Sequence, residues 1–578
     1  MFFIRLICIL PLVSIVTAKV LADALVNINL NPILIEKTTN CSEVLYSEDI
    51  SALSCDSPQE ALDYFSSVDL RRRSSFGIQQ DLSIRGSTFE DNDVYLEGVR
   101  MNDPQTGHFT LGFPLTEYDI SSIKLDSNSQ RVDFNIAPPK EKGILSRHYW
   151  GQYALYGSSL SFNFKTPHAN NRISYEHKIS SGSRQDTDFD VHNLFFDSLW
   201  AAGNSNINII FGMAQRDFGA ANFYSSFYPY EEEHTRQKLC IIKSDIRWDK
   251  FSLINNLFVR LHNDKFILDR GNPSLYINHT TTSVYGWGSR LKFSEFYIGF
   301  LFNREHAKSG SMGKYTRYRK EFYLEVTPKI NKLSLNISFN ETYYGKFGWL
   351  EKVSFGSSYP LNNKLSINLA LSYFWRAPSF TELYYQSPAN HGNNSLAVQK
   401  TLNYETGFKY TLNNDVNLHF SVFMRHQSHA IDWVKSSESS PWRAENIGSI
   451  SSKGINCNLK IDLRRRPFEY LSMRYTYLAL NRKSPYAFSK YAFDYLRDKL
   501  TANLLMKMRK LRVNYMLSFN NPSERRKYCI FSLKIIRKIN NNIDFFIEGN
   551  NIFNTSYYEL EDIKGGSRWY KIGVSLKF

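Results

Sequence analysis

The residues with the means to do chemistry are few and scattered. Arg85 stands before Gly86, a residue free to take positive φ. A guanidinium in a polar interior seeks a carboxylate that accepts both of its prongs. The run NDPQTGH at 102–108 is turn chemistry: Asn-Asp-Pro starts a turn and Gly107 lets it close tightly. His108 could touch a metal centre, although a lone histidine is ordinarily just a polar loop residue. Six cysteines occur. Cys41 and Cys55 are close enough in sequence to bridge a small loop in an oxidising compartment. Cys240, Cys457 and Cys529 are dispersed and fit no zinc spacing. No HExxH, GxSxG or Ser-His-Asp order occurs. An enzyme is therefore the weakest reading, and no cofactor or metal site is expected.

The elements that must position these groups begin with a leader. Arg5 precedes an apolar run at 6–16, and small residues follow at Ala18 and Ala22. This pattern is a signal peptide, cut after Ala22, with a run too short to span a membrane. Cys8 leaves with it, so an odd number of thiols remains. No later segment offers ~18 uninterrupted apolar residues, so no transmembrane helix is expected. An exported chain of 578 residues is then either soluble or a closed barrel, the other structure that satisfies every backbone group in lipid. The net charge of +15 admits an anionic surface or ligand, but drift in composition is the simpler account. Export excludes nucleic acid as partner. Arginines 71–73 and 464–466 read as solvated or lumen-facing charge.

From about 146 onward the chain alternates. LSLNISF at 333–339, LSINLALSY at 365–373 and LHFSVFM at 418–424, the last with one slip, each put their apolar side chains on one face of a strand. Strands near ~10 residues suit a tilted barrel wall. Tight polar turns such as 412–415 and 539–542 alternate with longer loops, and aromatics make up 15% of the chain, as interfacial girdles require. At the C-terminus Tyr570, Ile572, Val574, Leu576 and Phe578 share one face. Such a final amphipathic strand ending in Phe resembles the signal read by the barrel assembly machinery.

Ordered motifs in the first part of the chain resemble TonB-dependent outer-membrane receptors. ALDYF at 61–65 with VDLR at 68–71 looks like the plug helix and first plug strand. QDLSIRG at 80–86, DVYLEGVRMNDPQTGH at 93–108 and DISSI at 119–123 continue the match. In the later part, DFGAANFY at 217–224 with FYP at 227–229, RAPSFTELY at 376–384, NSL at 394–396, YETG at 404–407, WRAENIG at 442–448 with Gly454, and EGNNIF at 548–553 with Tyr557, Tyr558 and Arg568 resemble barrel signatures.

The resemblance implies a mostly β protein: a transmembrane antiparallel barrel of about 22 strands with an N-terminal α+β plug in its lumen. Length alone would also admit about 16 or 18 strands. The implied layout is a signal peptide at 1–22, a TonB box and linker at 23–40, a plug at 41–145 and a barrel at 146–578. The implied function is import, across the outer membrane, of a scarce ligand of the iron-siderophore, haem or cobalamin class. The implied partners are TonB, the assembly machinery, outer-membrane lipid and the ligand. Asp23, Ala24, Leu25, Val26, Asn27, Ile28 and Asn29 are the expected TonB box, adding a strand to TonB. Arg85 is expected to latch onto Glu405 of the wall, with pairing inside the plug as the alternative. Asn102, Asp103, Gln105, Thr106 and His108 are expected at the plug apex facing ligand, with shaping of the loop as the alternative for Asp103. One departure stands out: residues 124–142 contain no glycine where family plugs end in a glycine-rich run. It leaves a rival reading, a non-energised surface binder or porin with a degenerate plug.

Overall fold

The computed structural model describes residues 42–224, 228–413, 415–463, 467–486, 488–560 and 563–578. The signal peptide, the expected TonB box at Asp23–Asn29, Cys41 and arginines 464–466 lie outside them. Among the described residues, no helix is long and apolar enough to cross a membrane.

A closed antiparallel barrel forms the wall. It opens with Lys142–Gly151 and ends with Trp569–Lys577, and these two strands pair directly, Lys577 opposite Leu145 and Lys571 opposite Gly151. The wall holds 22 strands; the two-residue stub Lys329–Ile330 only extends the turn before Leu333–Tyr344. The expected junction at 145/146 falls inside the first wall strand, whose pairing already begins at Lys142. Strand lengths also exceed the expectation on one side: Phe251–Ile267 has 17 residues, whereas Ile543–Asn550 has 8. Both ends of the wall lie at the rim of short turns, and the long connections 377–398, 429–448 and 551–568 lie at the other rim, the outer one in such barrels.

Alternation decides which side chains meet lipid. Ile367 and Leu369 point outward while Asn368 and Ala370 are buried inside. Ile337, Phe339, Val422 and Met424 also face out. In the last strand Tyr570, Ile572 and Phe578 are exposed, and Lys571 is buried in the lumen.

The plug fills the lumen. Its five-stranded sheet runs Glu43–Tyr46, Ile120–Asp126, Arg131–Ile136, Asp93–Leu96, Val99–Arg100 in spatial order. Val68–Arg72 and Gln80–Ile84 form a separate hairpin. The segment expected as the plug helix is a 3₁₀ turn, Pro58–Tyr64, and the first plug strand is Glu43–Tyr46 instead. The DVYLEGVR stretch is a hairpin whose central residues Glu97 and Gly98 both take positive φ, 50° and 83°, the signature of a type I′ turn. The glycine-free end at 124–142 still makes a complete hairpin, Ile120–Asp126 with Arg131–Ile136. Gln130 supplies the left-handed residue there, at φ 51°.

The plug core, including Leu62, Phe65, Ile84, Val94, Ile123, Val132 and Phe134, is continuous with inward wall residues Phe195, Ile210, Leu239, Ile241 and Phe258. On the opposite side the wall meets the plug through lysines. Lys499 Nζ donates to the Asp63 carbonyl (2.7 Å), Asp63 Oδ1 (2.6 Å) and the Val68 carbonyl (2.8 Å). Lys534 Nζ donates to the Ser51 and Leu53 carbonyls at 2.9 and 2.8 Å. Lys571 bridges Asp56 of the plug and Glu548 of the wall. Part of the basic excess is thus structural, and so are Arg71 and Arg73, which are buried rather than solvated and pair with Asp69 and Asp81.

Candidate functional site

The structure brings Arg85 and Glu405 together. Nη1 and Nη2 of Arg85 donate to Oε2 and Oε1 of Glu405, each at 2.9 Å. Both side chains are buried. Arg85 itself takes φ 52° and Gly86 takes φ 70°, so the chain kinks toward the wall at a local cost of about 1–2 kcal/mol for the arginine. The kink is held from three directions. The Arg85 amide donates to the Ser67 carbonyl (2.8 Å). Arg425 of the wall donates to the Ile84 and Gly86 carbonyls at 3.3 and 2.9 Å. Phe423 lies beneath the guanidinium, its ring centroid 3.9 Å from Arg85 Cζ. Phe423 is the slip in the alternation of 418–424: it turns inward because the cation needs a face to rest on. A side chain at Gly86 would collide with Leu478, whose Cδ2 lies 2.7 Å from the site of a Cβ.

The apex loop is covered. Asn102 works within the plug, accepting from the Val94 amide (3.0 Å) and donating to the Asn92 carbonyl (2.7 Å). Asp103 accepts from the Gln105 amide (2.9 Å) and from Thr282 of the wall (3.1 Å). Gln105 donates to Asp264 (3.1 Å), and Thr106 to Glu90 (2.9 Å). His108 donates through Nδ1 to Asp81 (2.6 Å) and stacks on Phe89 at 4.0 Å. Burial alone would raise the Asp81 carboxyl, but His108 and Arg73 hold it well below the usual range. Burial pushes the His108 imidazole down. Cys55, the described partner of the expected disulfide, donates to the Ile50 carbonyl at 3.8 Å, and burial pushes its thiol up to about 12.

The cover is the short helix Phe380–Tyr384 of the 377–398 loop. Ser379 caps it by accepting from the Glu382 amide (3.3 Å), and Glu382 returns a bond to the Ser379 amide (2.8 Å). The first amides of the helix do not go to water: Phe380 donates to the Pro104 carbonyl (2.9 Å) and Thr381 to the Gln105 carbonyl (3.1 Å). Arg376 ties the same loop to the plug, meeting Asp91 at 2.9 Å and Glu382 at 2.7 Å. Burial, with Glu382 nearby, raises the carboxyl of Glu90.

Above the helix lies a cavity of about 500 Å³ open to the outer rim. Met312, Tyr315, Tyr384, His391, Asn393 and Arg443 are among its lining residues, and none of the five expected apex contacts is. Tyr315 and Tyr384 stack at 3.6 Å. The walls are knitted from three loops by a small sheet, Asn390–His391, Trp442–Asn446, Ile431–Lys435 and Phe488–Ser489. The arrangement offers aromatic faces and a cation to a ligand from outside, over a lumen the plug closes.

A family model described as TonB dependent receptor-like, beta-barrel, matches residues 64–552. The chain belongs to this family. It is a receptor of the Gram-negative outer membrane rather than an enzyme. No curated protein matches it by sequence. Among solved structures, the siderophore receptor PirA from Pseudomonas aeruginosa is 13% identical, with a TM-score of 0.75, covering 94% of this chain and 100% of that one. The FrpB iron transporter from Neisseria meningitidis is 12% identical, TM-score 0.75, covering 93% and 99%. The ferric enterobactin receptor PfeA from Pseudomonas aeruginosa is 12% identical, TM-score 0.76, covering 93% and 98%. TonB-dependent receptors of such low identity share the fold. In this member the RAPSFTELY and WRAENIG motifs are the parts that clamp the apex and knit the vestibule, roles that motif matching alone did not assign.

Proposed function

We propose that this receptor imports an anionic ferric chelate bearing aromatic groups, a siderophore of the catecholate kind, by TonB-driven rearrangement of the plug. The observation that carries the reading is the outer vestibule, with its stacked tyrosines and Arg443, standing over a plug fastened by a buried Arg85–Glu405 fork. Titles of similar structures, a siderophore receptor and a ferric enterobactin receptor, agree with that class. In this reading ligand touches the loops and not the apex. Its presence reaches the plug through the Phe380–Tyr384 helix, whose amides grip Pro104 and Gln105. The segment 23–29 then engages TonB by strand addition, and the Arg85–Glu405 latch must part for passage. The porin-like alternative rested on the glycine-free plug end; that end folds into a complete hairpin, so no observation favours it.

The test is binding and uptake measured separately. The receptor should quench on titration with a tris-catecholate ferric chelate, and Arg443→Ala should weaken that binding about tenfold, as loss of a charge-assisted bond does. Deleting 23–29 should leave binding intact and abolish uptake. Uptake that survives the deletion refutes TonB coupling; equal binding of a cationic or purely aliphatic chelate refutes the ligand class.

A further inference from the structure

The outer face of the wall carries a cluster that import does not use. His177, on the strand Ala169–Ser180, and His192, on Phe189–Ala202, are direct cross-strand partners. Asp190 sits two residues before His192, on the same face. Nε2 of His177 lies 2.9 Å from Asp190 Oδ1, and Nε2 of His192 lies 3.1 Å from the same oxygen. The two imidazoles stack at 4.3 Å with planes 4° apart. Their neighbours along the outward face, Ile173, Tyr175 and Ile179, are exposed, so the cluster faces away from the lumen. It lies at the outer-rim end of both strands, beside the 181–188 loop, where a bilayer turns polar.

We propose that His177, Asp190 and His192 form a surface site for a divalent transition ion of the zinc–copper class. The donor set is two imidazoles and one carboxylate, the mixture such ions take. All three donor atoms lie within 4.8 Å of one another. An ion at about 2.0–2.1 Å from each donor needs only a turn of one imidazole about its χ2 torsion, which is soft for histidine. In the metal-free form each imidazole N–H donates to Asp190. The ion replaces those two protons, so binding releases them and strengthens as pH rises. Tyr175 provides the support behind one ligand: its hydroxyl lies 2.8 Å from His192 Nδ1. A hydroxyl both donates and accepts, so it satisfies Nδ1 in either tautomer and leaves Nε2 free for the ion. The nearby Asp217 does not compete, because His234 and Arg236 occupy it at 2.6 and 2.9 Å. With three protein ligands, the remaining positions are open to water or to a phosphate.

The test uses the tag-free full-length receptor in detergent, titrated with Zn²⁺ by calorimetry and with Cu²⁺ by electron paramagnetic resonance. One ion per barrel should bind, with two nitrogen ligands in the Cu²⁺ spectrum. Tyr175→Phe should weaken Zn²⁺ about tenfold, the scale of an outer-sphere loss. His177→Gln and His192→Gln should each weaken it further and leave a single nitrogen. The double variant should bind none. Heat-modifiable migration on gels checks that the variants keep the barrel. Zn²⁺ affinity unchanged in the double variant, or two nitrogens persisting in it, overturns the proposal, as does failure of the parent protein to bind at micromolar Zn²⁺.

Discussion

Arg85 shows what a single residue can hold in this receptor. Its fork on Glu405 is bidentate and buried, and removing one partner of such a pair leaves a charge without compensation, at about 3–5 kcal/mol. Glu405→Ala should therefore loosen the 80–86 strand, read as faster amide exchange there, whereas Arg85→Met with Glu405→Leu together should restore much of the protection. A second residue carries a pH signature. The folded pKa of Glu90 is raised above its ordinary value, to about 8. Its contribution is then full in acid and is lost as pH rises from the ordinary carboxylate range through about 8. Amide protection of the apex loop should fall over that window, and Glu90→Gln, which keeps the Thr106 bond and never ionises, should flatten the dependence. At this scale the sequence was legible where charge and local conformation met: Arg85 before a glycine and an acid in YETG named the pair. Phe423 was visible only as a broken alternation, because what it packs against comes from 338 residues earlier in the chain, at Arg85.

At the scale of elements, the short helix Phe380–Tyr384 decides how the vestibule speaks to the plug. Its start is set by Ser379. Ser379→Ala removes the cap at about 1 kcal/mol, which should speed exchange of the 380–385 amides roughly fivefold and leave the wall strands unchanged. The wall strands themselves were legible, since period-two alternation is a local property. Their lengths were not: the longest extend beyond what a bilayer asks, and their ends are fixed by loops such as 429–448 that pair with distant segments. The burial of Asn102–His108 was hidden for the same reason. A turn motif announces a tight loop, but not the loop from elsewhere that folds over it.

For the molecule as a whole, closure depends on the last strand lying against the first. Its outward face of Tyr570, Ile572, Val574, Leu576 and Phe578 is legible from five alternating residues, and the Phe578 amide and carbonyl both bond to Ile144 at 2.9 Å. Deleting Phe578 should lower the amount of heat-modifiable receptor in outer membranes several-fold; unchanged levels would separate that residue from assembly. The count of 22 strands was not readable from length, because loop size and strand number trade against each other, and came only with the motifs.

The plug is fastened unevenly. One flank merges its oily interior with Phe195, Ile210 and Phe258 of the wall, while the other is tied by Lys499, Lys534 and Lys571 beside a small cavity lined by Asp56, Asp63, Thr501 and Trp569. Tension on the leader would meet two materials, one like glue and one like a zip. The zip gives way first, tooth by tooth, so traffic runs along a single seam while the glued flank stays put as a hinge.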